Sequence, residues 1–247
     1  MRRFYQESWQ GIPFTSFSHI SFFHLAEPKF YAVFYEELFR RYKNWEDLPS
    51  VWRENKRTDA KWLIGQLRAK LAQDPAGRME PVRVLSIGSG VGYMEKILLE
   101  EMPELELHVN EPSTVGMKWL REYIPSDRIY IGLPPMCLPS DVQYDMIYLS
   151  TVDYGIPTRE FQHLLWELRA QLAPGGELVL LSASLLEEDS FIGSFVNAIK
   201  IGIRAALHYM GIRRQQFWGW RRTQDEYRDL FKEAGFTRVR DGWLEDG

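Results

Sequence analysis

The chain has 247 residues, of which 45% are hydrophobic and 26% are charged, and its formal net charge is −4 at pH 7. This length suits one α/β domain with an extension, and the hydrophobic content is enough for a buried core, so long disordered stretches are not expected. The acidic balance argues against a nucleic-acid-binding protein. Cys137 is the sole cysteine, so we expect neither an intrachain disulfide nor a cysteine zinc cluster.

The first residues lack a continuous apolar run, so we expect no signal peptide. No run of about 18 uncharged apolar residues occurs, so the sequence predicts no membrane span. Nothing in the sequence calls for an oxidising compartment, and the expected location is therefore cytoplasmic.

The N-terminal region is rich in aromatic residues, since 14 of the 35 aromatics fall within the first 45 positions. We interpret this arm as a cap that packs on a core, with a lid over a ligand as the alternative. Residues 1–27 look irregular, Pro28 opens a helix, and a second helix is expected to begin near Thr58 and Asp59. Residues 1–79 are therefore predicted to form a helical N-terminal cap.

From residue 81 onward, short apolar runs alternate with helical patterns. The predicted strands cover residues 82–87, 105–109, 128–131, 144–149, 177–182 and 236–239. The predicted helices cover residues 92–102, 113–123, 158–172, 190–211 and 223–234. This alternation predicts a Rossmann-like α/β domain over residues 80–247, with a mostly parallel sheet, helices on both faces, and an inserted cap helix at about 186–222.

A glycine loop at residues 88–92 carries the sharpest motif. A predicted strand runs into Gly88, Gly90 and Gly92, and a helix pattern follows. Glycines let the backbone turn tightly and approach a ligand, and the N–H groups at a helix start favour polar or anionic groups. Tyr93 stands where the dinucleotide fingerprint has its third glycine, which argues against NAD.

Glu111 ends the second predicted strand, 19 residues beyond Gly92. A carboxylate in this place can accept hydrogen bonds from both hydroxyls of a ribose. Together, the loop and the carboxylate indicate binding of a ribose-containing ligand, with an exposed strand-end carboxylate as the structural alternative.

With these residues in place, the sequence resembles the class I S-adenosylmethionine-dependent methyltransferases over residues 84–92, 109–113, 144–149, 168–180 and 226–236. The resemblance implies S-adenosylmethionine (SAM) as cofactor. It places the methionine end near Ser86, Gly88, Ser89, Gly90 and Gly92, the ribose on Glu111, the adenine near Pro112, Gly132 and Leu133, and the sulfonium above Ser150 and Thr151. Two departures are that no acidic residue follows the third strand, and that little chain remains for a last antiparallel strand.

The catalytic candidates are Asp153 and Tyr154, because open α/β sheets bind ligands beyond the carboxyl ends of their strands. Their structural alternatives are a loop carboxylate and a packed aromatic ring. His163 is expected to face solvent and His108 to be structural. His19 and His24 become candidate bases only if the aromatic arm covers the pocket. No grouping of side chains has the spacing of a metal site, so no metal is expected.

The predicted insertion is basic. Residues 190–224 contain six lysines and arginines, including Arg222, and no acidic residue. Three interpretations stay open: a cap helix with a solvated basic face, recognition of an anionic acceptor, or peripheral contact with an anionic membrane surface.

The sequence therefore predicts a methyltransferase that acts on a small-molecule or glycan-type acceptor, at oxygen. An NAD-dependent oxidoreductase and a catalytically silent methyltransferase-like binding domain are the alternatives. The oligomeric state is left open.

Overall fold

The computed structural model describes residues 2–6, 8–14, 28–72, 81–186, 217–242 and 244, together with 199–200, 202–203, 206–207 and 210. Within these ranges, no helix has the length and apolar character that crossing a membrane requires. The predicted histidine candidates His19 and His24 and most of the predicted helix over 190–211 lie outside the described residues.

The strands, in chain order, are β1 (Arg2–Gln6), β2 (Ser8–Trp9), β3 (Ile12–Pro13), β4 (Arg83–Ile87), β5 (Glu106–Glu111), β6 (Ile129–Ile131), β7 (Tyr144–Ser150), β8 (Leu172–Leu181) and β9 (Phe217–Arg221). The helices are α1 (Pro28–Arg41), α2 (Ser50–Ala72), α3 (Tyr93–Glu101), α4 (Thr158–Ala170) and α5 (Gln224–Glu233). Short 3-10 turns occur at Gly116–Lys118, Leu120–Glu122 and Asp153–Gly155, among others.

Five parallel strands form the central sheet, in the order β6-β5-β4-β7-β8. After β6 the chain crosses back over the sheet, so β4 has β5 on one side and β7 on the other. Ligands of open α/β sheets bind in the crevice at the carboxyl ends of the strands where the order reverses. The topology therefore places a ligand site beyond β4, β5 and β7.

Helices cover both faces of this sheet, which confirms the predicted fold class. Successive strand residues point to opposite faces. Met146 of β7 belongs to the core shared with α2 and α3, whereas the next residue, Ile147, belongs to the core shared with α4 and α5. Because both faces are buried, the strands read in the sequence as continuous apolar runs.

Helix α2 packs directly on the sheet. Its buried residues Leu63 and Leu67 lie in the same core as Val84 of β4. The helix begins at Ser50, so the expected start near Thr58 is wrong by more than two turns. Asp59 lies inside the helix, where its side chain accepts a hydrogen bond from Ser150 instead of capping the helix end. The division of the chain at residue 79 stays a prediction.

The aromatic arm packs into a second core. This core joins Phe14 and Phe30, the apolar face of α1, and Trp119 and Tyr154 of the α/β part. The packing interpretation of the arm therefore agrees with the structure, although some of its rings also line the cavity described below.

Several elements differ from the sequence prediction. Residues 113–123 form two 3-10 turns instead of a helix, since Gly116 lies so close to Tyr35 that a Cβ would approach its ring to 2.8 Å. Strand β8 begins at Leu172, five residues before the predicted start at residue 177, and its register shifts beside Tyr144. Residues 236–239 are irregular, so the predicted last strand is wrong.

One pairing was not expected from the sequence. Strand β1 pairs antiparallel with β9, which joins residues 2–6 to residues 217–221. The described part of the insertion is helical at 199–200, 202–203 and 206–207, and Ile199, Ile203 and Met210 are exposed there.

Candidate functional site

The glycine loop connects β4 to α3 and turns through left-handed backbone. Gly88, Gly90 and Gly92 have φ values of 69°, 62° and 76°, a region that other residues enter only with strain. A Cβ at Gly88 would lie 2.6 Å from Val152, and one at Gly92 would lie 2.1 Å from Leu120. A Cβ at Gly90 would meet only the Tyr35 hydroxyl, at 3.6 Å, so this glycine faces open space.

Glu111 lies at the end of β5 and holds this loop. Its Oε2 accepts a hydrogen bond from the Gly90 N–H at 3.0 Å, and its Oε1 accepts one from the Ser113 N–H at 3.3 Å. The Tyr35 hydroxyl also donates to this carboxyl group. Burial raises the pKa of Glu111 to about 8, and the hydrogen bonds from Gly90 and Ser113 oppose that rise. This buried acceptor, next to a bare glycine backbone, fits a ligand that donates hydroxyl groups.

A cavity opens beyond β4, β5 and β7, where the topology places a ligand site. Nine predicted residues line it: Ser86, Gly88, Ser89, Gly90, Glu111, Pro112, Ser150, Thr151 and Tyr154. Aromatic residues form much of the remaining wall, namely Trp9, Tyr31, Tyr35, Trp52 and Tyr93. The structure thus brings most of the predicted cofactor residues to one surface.

Four predicted residues are not among the described residues that line the cavity. Gly92 packs against Leu120 below the loop. Gly132 follows β6, where its N–H donates to the Glu111 carbonyl at 3.1 Å, and Leu133 next to it is 40% exposed. Asp153 is fully buried behind the cavity wall.

Lys56 lines the cavity, although the sequence pattern did not single it out as a site residue. It reaches from α2 to the end of β7, where its Nζ donates to Ser150 Oγ at 2.5 Å and to Thr151 Oγ1 at 2.9 Å. A longer contact of 3.3 Å joins Nζ to Asp59 Oδ2. Burial lowers the pKa of Lys56, and Asp59 opposes that shift. Thr151 has a left-handed backbone with φ of 56°, which is rare for a β-branched residue.

Glu95 is the second missed residue. It lies on α3 and lines the cavity, with its Oε1 accepting hydrogen bonds from Ser86 Oγ at 2.6 Å and from Tyr148 Oη at 2.7 Å. Burial raises the pKa of Glu95. Among the described residues, nothing donates to its buried Oε2.

Neither models of known protein families nor curated protein sequences match the chain. Solved structures of other proteins are similar to the chain. Mitomycin 7-O-methyltransferase MmcR is 19% identical, with a TM-score of 0.44 over 63% of this chain and 43% of that chain. DesVI from Streptomyces venezuelae is 16% identical, with a TM-score of 0.43 over 56% of this chain and 55% of that chain. The chain thus spans about half the length of these two proteins.

A third structure aligns over nearly the whole chain. Magnesium protoporphyrin IX methyltransferase (ChlM) from Synechocystis PCC 6803, with bound S-adenosylhomocysteine (SAH), is 16% identical, with a TM-score of 0.53 over 85% of this chain and 87% of that chain. The chain has the fold of the class I SAM-dependent methyltransferases.

Within this methyltransferase fold, Asp153 belongs to a buried hydrogen-bond network. Its Oδ2 accepts from Ser182 Oγ at 2.7 Å, from Ser184 Oγ at 3.0 Å and from the Tyr227 hydroxyl. Arg222 donates to the Asp153 carbonyl at 2.9 Å. This network ties the turn after β7 to the end of β8 and to α5, and Asp153 is not among the described residues that line the cavity.

Arg222 is one of the six basic residues counted in the insertion, but it is buried. Its side chain is 1% exposed and lies over the rings of Phe161 and Tyr227. It therefore contributes nothing to a basic surface. Among the basic residues of the insertion that the structure describes, Lys200 is the exposed one.

The two described histidines of interest lie away from the cavity. His163 is exposed on α4, as expected. His108 is buried on β5, where its ring nitrogens contact the Tyr130 hydroxyl at 2.7 Å and Glu106 Oε1 at 3.0 Å. Its contacts agree with the structural role expected from the sequence.

Proposed function

We propose that this protein is a SAM-dependent methyltransferase that acts on a small-molecule acceptor, at oxygen. The observation that carries the proposal is the hydrogen bond between the Gly90 N–H and the Glu111 carboxylate, at the carboxyl edge of the sheet. It joins a left-handed glycine loop to a buried acceptor, and both face one cavity of a methyltransferase fold. When bound, the cofactor supplies an activated methyl group on a sulfonium.

Glu111 would accept hydrogen bonds from the ribose hydroxyls in place of Tyr35, which reaches the same carboxyl group. Pro112 lies beside it, and Gly132 and Leu133 follow β6 next to the expected adenine position. Ser150 and Thr151 stand at the end of β7, where the residues below the sulfonium are expected. These assignments extend the resemblance, and the cavity geometry supports those of Glu111, Pro112, Ser150 and Thr151.

Tyr154 is proposed to face the acceptor. Burial, and to a smaller degree Asp153, raises the pKa of Tyr154, so its phenol stays protonated at neutral pH. It would therefore donate a hydrogen bond and orient the acceptor, not remove its proton. Methyl transfer needs alignment and exclusion of water above all, which a buried aromatic residue supplies.

Asp153 is proposed to be a positioning residue for Tyr154. Its carboxylate fixes the Asp153–Gly155 turn from behind and does not line the cavity. We propose this role in place of a base at the acceptor, because Asp153 is not among the described residues that line the cavity.

The acceptor side of the cavity is aromatic. Trp9, Tyr31 and Trp52 can stack on the face of a planar ring or a sugar. A small-molecule or glycan-type acceptor is thus the proposal, and the basic insertion would attract an anionic one. Contact of the insertion with an anionic membrane surface stays a prediction.

Calorimetric titration with SAM, SAH and NAD tests the proposal. Micromolar binding of SAM and SAH without NAD binding is the expected result, and a folded Glu111→Ala variant should bind both adenosyl ligands about 10- to 100-fold more weakly. Exposed Glu122→Ala, nine residues beyond Ser113 on the surface, is the matched control and should bind like the wild type. Binding of NAD alone would favour the oxidoreductase, and absence of all binding would favour a silent domain.

A further inference from the structure

One end of the cavity, where β4 and β7 finish, carries side chains of both charges. Lys56 reaches it from α2 and Glu95 from α3. Lys56 is the one cationic side chain among the described residues that line the cavity. Neither residue has a role in the proposed function so far, although both are at least nine-tenths buried. Charged side chains are buried to this degree only when they are paired with other charges or hydrogen-bonded.

The Lys56 ammonium has one long ion pair and two hydrogen bonds to hydroxyl groups. Two of its hydrogen bonds go to the uncharged hydroxyls of Ser150 and Thr151. Its one anionic contact, Asp59 Oδ2, lies at 3.3 Å and also accepts a 2.9 Å hydrogen bond from Ser150. A charged acceptor would normally lie closer to an ammonium, at about 2.7–2.9 Å. The third N–H of Lys56 thus has only this long hydrogen bond to Asp59, which a ligand carboxylate at a shorter distance would replace.

Glu95 has one carboxylate oxygen that receives no hydrogen bond from the described residues. Both of its described donors, Ser86 and Tyr148, bind Oε1. Its Oε2 is buried and accepts nothing from the described residues. A buried acceptor without a donor is costly, so Oε2 points to a donor that a ligand brings.

We propose that Lys56 and Glu95 together recognise a zwitterionic α-amino acid group, with Lys56 on its carboxylate and Glu95 Oε2 on its ammonium. The inference rests on the proposed function, because the ligand of this chemistry would be the methionine end of SAM. The two residues extend from different helices over the same strand ends, beside Ser86 and Ser150. They would thus select a cofactor that carries the amino acid group over the bare adenosine part.

The experiment compares SAM with decarboxylated SAM, which keeps the amine and the sulfonium but lacks the carboxylate. Calorimetry measures both dissociation constants for the wild type and for Lys56→Met. The wild type is expected to bind SAM about 10- to 100-fold more tightly than decarboxylated SAM, since a charged hydrogen bond is lost. Lys56→Met should bind the two ligands equally. Lys61→Met, at an exposed position of the same helix, should keep the wild-type preference.

Glu95→Gln provides a second readout, because both ligands carry the amine. This variant should weaken both by the same factor and leave the preference for SAM intact. The inference is overturned if the wild type binds both ligands equally, which needs no variant to fold, or if folded Lys56→Met keeps the preference. Failure of the wild type to bind either ligand would instead overturn the proposed function, and the inference with it.

Discussion

Glu111 makes the stability of the protein depend on pH. Burial raises its pKa from 4.5 to about 8, so the folded protein holds this proton more tightly than the unfolded chain does. Between these pH values the folded state binds more protons, and the free energy of unfolding therefore falls as the pH rises, by up to about 1.4 kcal/mol per pH unit. Above about pH 8 the contribution of Glu111 to the free energy of unfolding is lost completely, and below about pH 4.5 it is fully present.

Urea denaturation of the ligand-free protein at several pH values between 5 and 8 measures this slope. Glu111→Gln keeps the shape of the side chain and removes its titration, so the slope should become smaller in the variant. Some slope should remain, because burial also raises the pKa of Glu95. An identical slope in both proteins would contradict a buried, titrating Glu111.

The three loop glycines should respond differently to alanine. Gly92→Ala would place its Cβ against the buried Leu120 and add backbone strain, and we expect a loss of about 2–4 kcal/mol in the free energy of unfolding. Gly90→Ala meets no close neighbour and should cost about 1–2 kcal/mol from strain alone. Its methyl group enters the cavity, so SAH should bind at least about tenfold more weakly, or about 1.4 kcal/mol.

Gly65→Ala is the control for this series. Gly65 lies in α2 with nothing within 4 Å of its added Cβ, so alanine should raise the free energy of unfolding by about 1 kcal/mol. Its SAH affinity should match the wild type. Equal effects of Gly90→Ala and Gly65→Ala on SAH binding would show that the loop does not contact the ligand.

The motif residues could be predicted from the sequence because backbone geometry restricts them to one residue type. Gly88 and Gly90 stand out for that reason. Lys56 does not, because lysines are frequent on helix surfaces and the predicted helix began after it. The signal was nonetheless present, since Lys56 shares one helix face with the buried Ala60, Leu63 and Leu67. A charged residue in the apolar stripe of a helix is the pattern that would have revealed it.

At the scale of elements, the turn Asp153–Gly155 depends on contacts with β8 and α5. Asp153→Asn replaces an acceptor of three hydroxyl groups with a side chain that has one acceptor and one donor group. We expect the free energy of unfolding to fall by about 1–3 kcal/mol in urea denaturation. Binding of SAH should stay within about twofold, or about 0.4 kcal/mol, because the carboxylate does not line the cavity.

Asp225→Asn tests whether these effects are specific. Asp225 is exposed and pairs with Arg228 on the surface, so its loss should change stability by no more than about 0.5 kcal/mol. A loss of SAH binding in folded Asp153→Asn would instead place this carboxylate at the ligand.

Elements with one strong local signal were predicted well, and elements decided by distant contacts were not. Strands β4 and β7 are apolar runs that end at polar or glycine residues, and the sequence predicted both within two residues. The helix expected over residues 113–123 is broken into 3-10 turns, because the chain there fits around Tyr35 of α1. No local sequence pattern predicts the contact between Gly116 and Tyr35.

At the scale of the whole molecule, the parallel sheet was predictable, since alternating strands and helices permit few topologies. The pairing of β1 with β9 was not, because it joins segments more than 200 residues apart and both are short. Residues 2–6 looked irregular without their partner. A two-stranded ribbon of this kind is marginal on its own, so its existence depends on the surrounding fold.

Deletion of residues 1–6 tests what this ribbon does. It leaves β9 without its partner, directly before Arg222, which holds the carbonyls of Asp153 and Ile156 at 2.9 and 2.6 Å. Losing a few backbone hydrogen bonds should cost about 2 kcal/mol and lower the melting temperature by about 4–8 °C. In hydrogen exchange, the amides of residues 217–221 should lose protection, whereas those of β4 serve as the internal control and should not change. Unchanged protection at 217–221 would mean that β9 is held by its packing alone, and that the ribbon does not connect the N-terminal arm to the turn after β7.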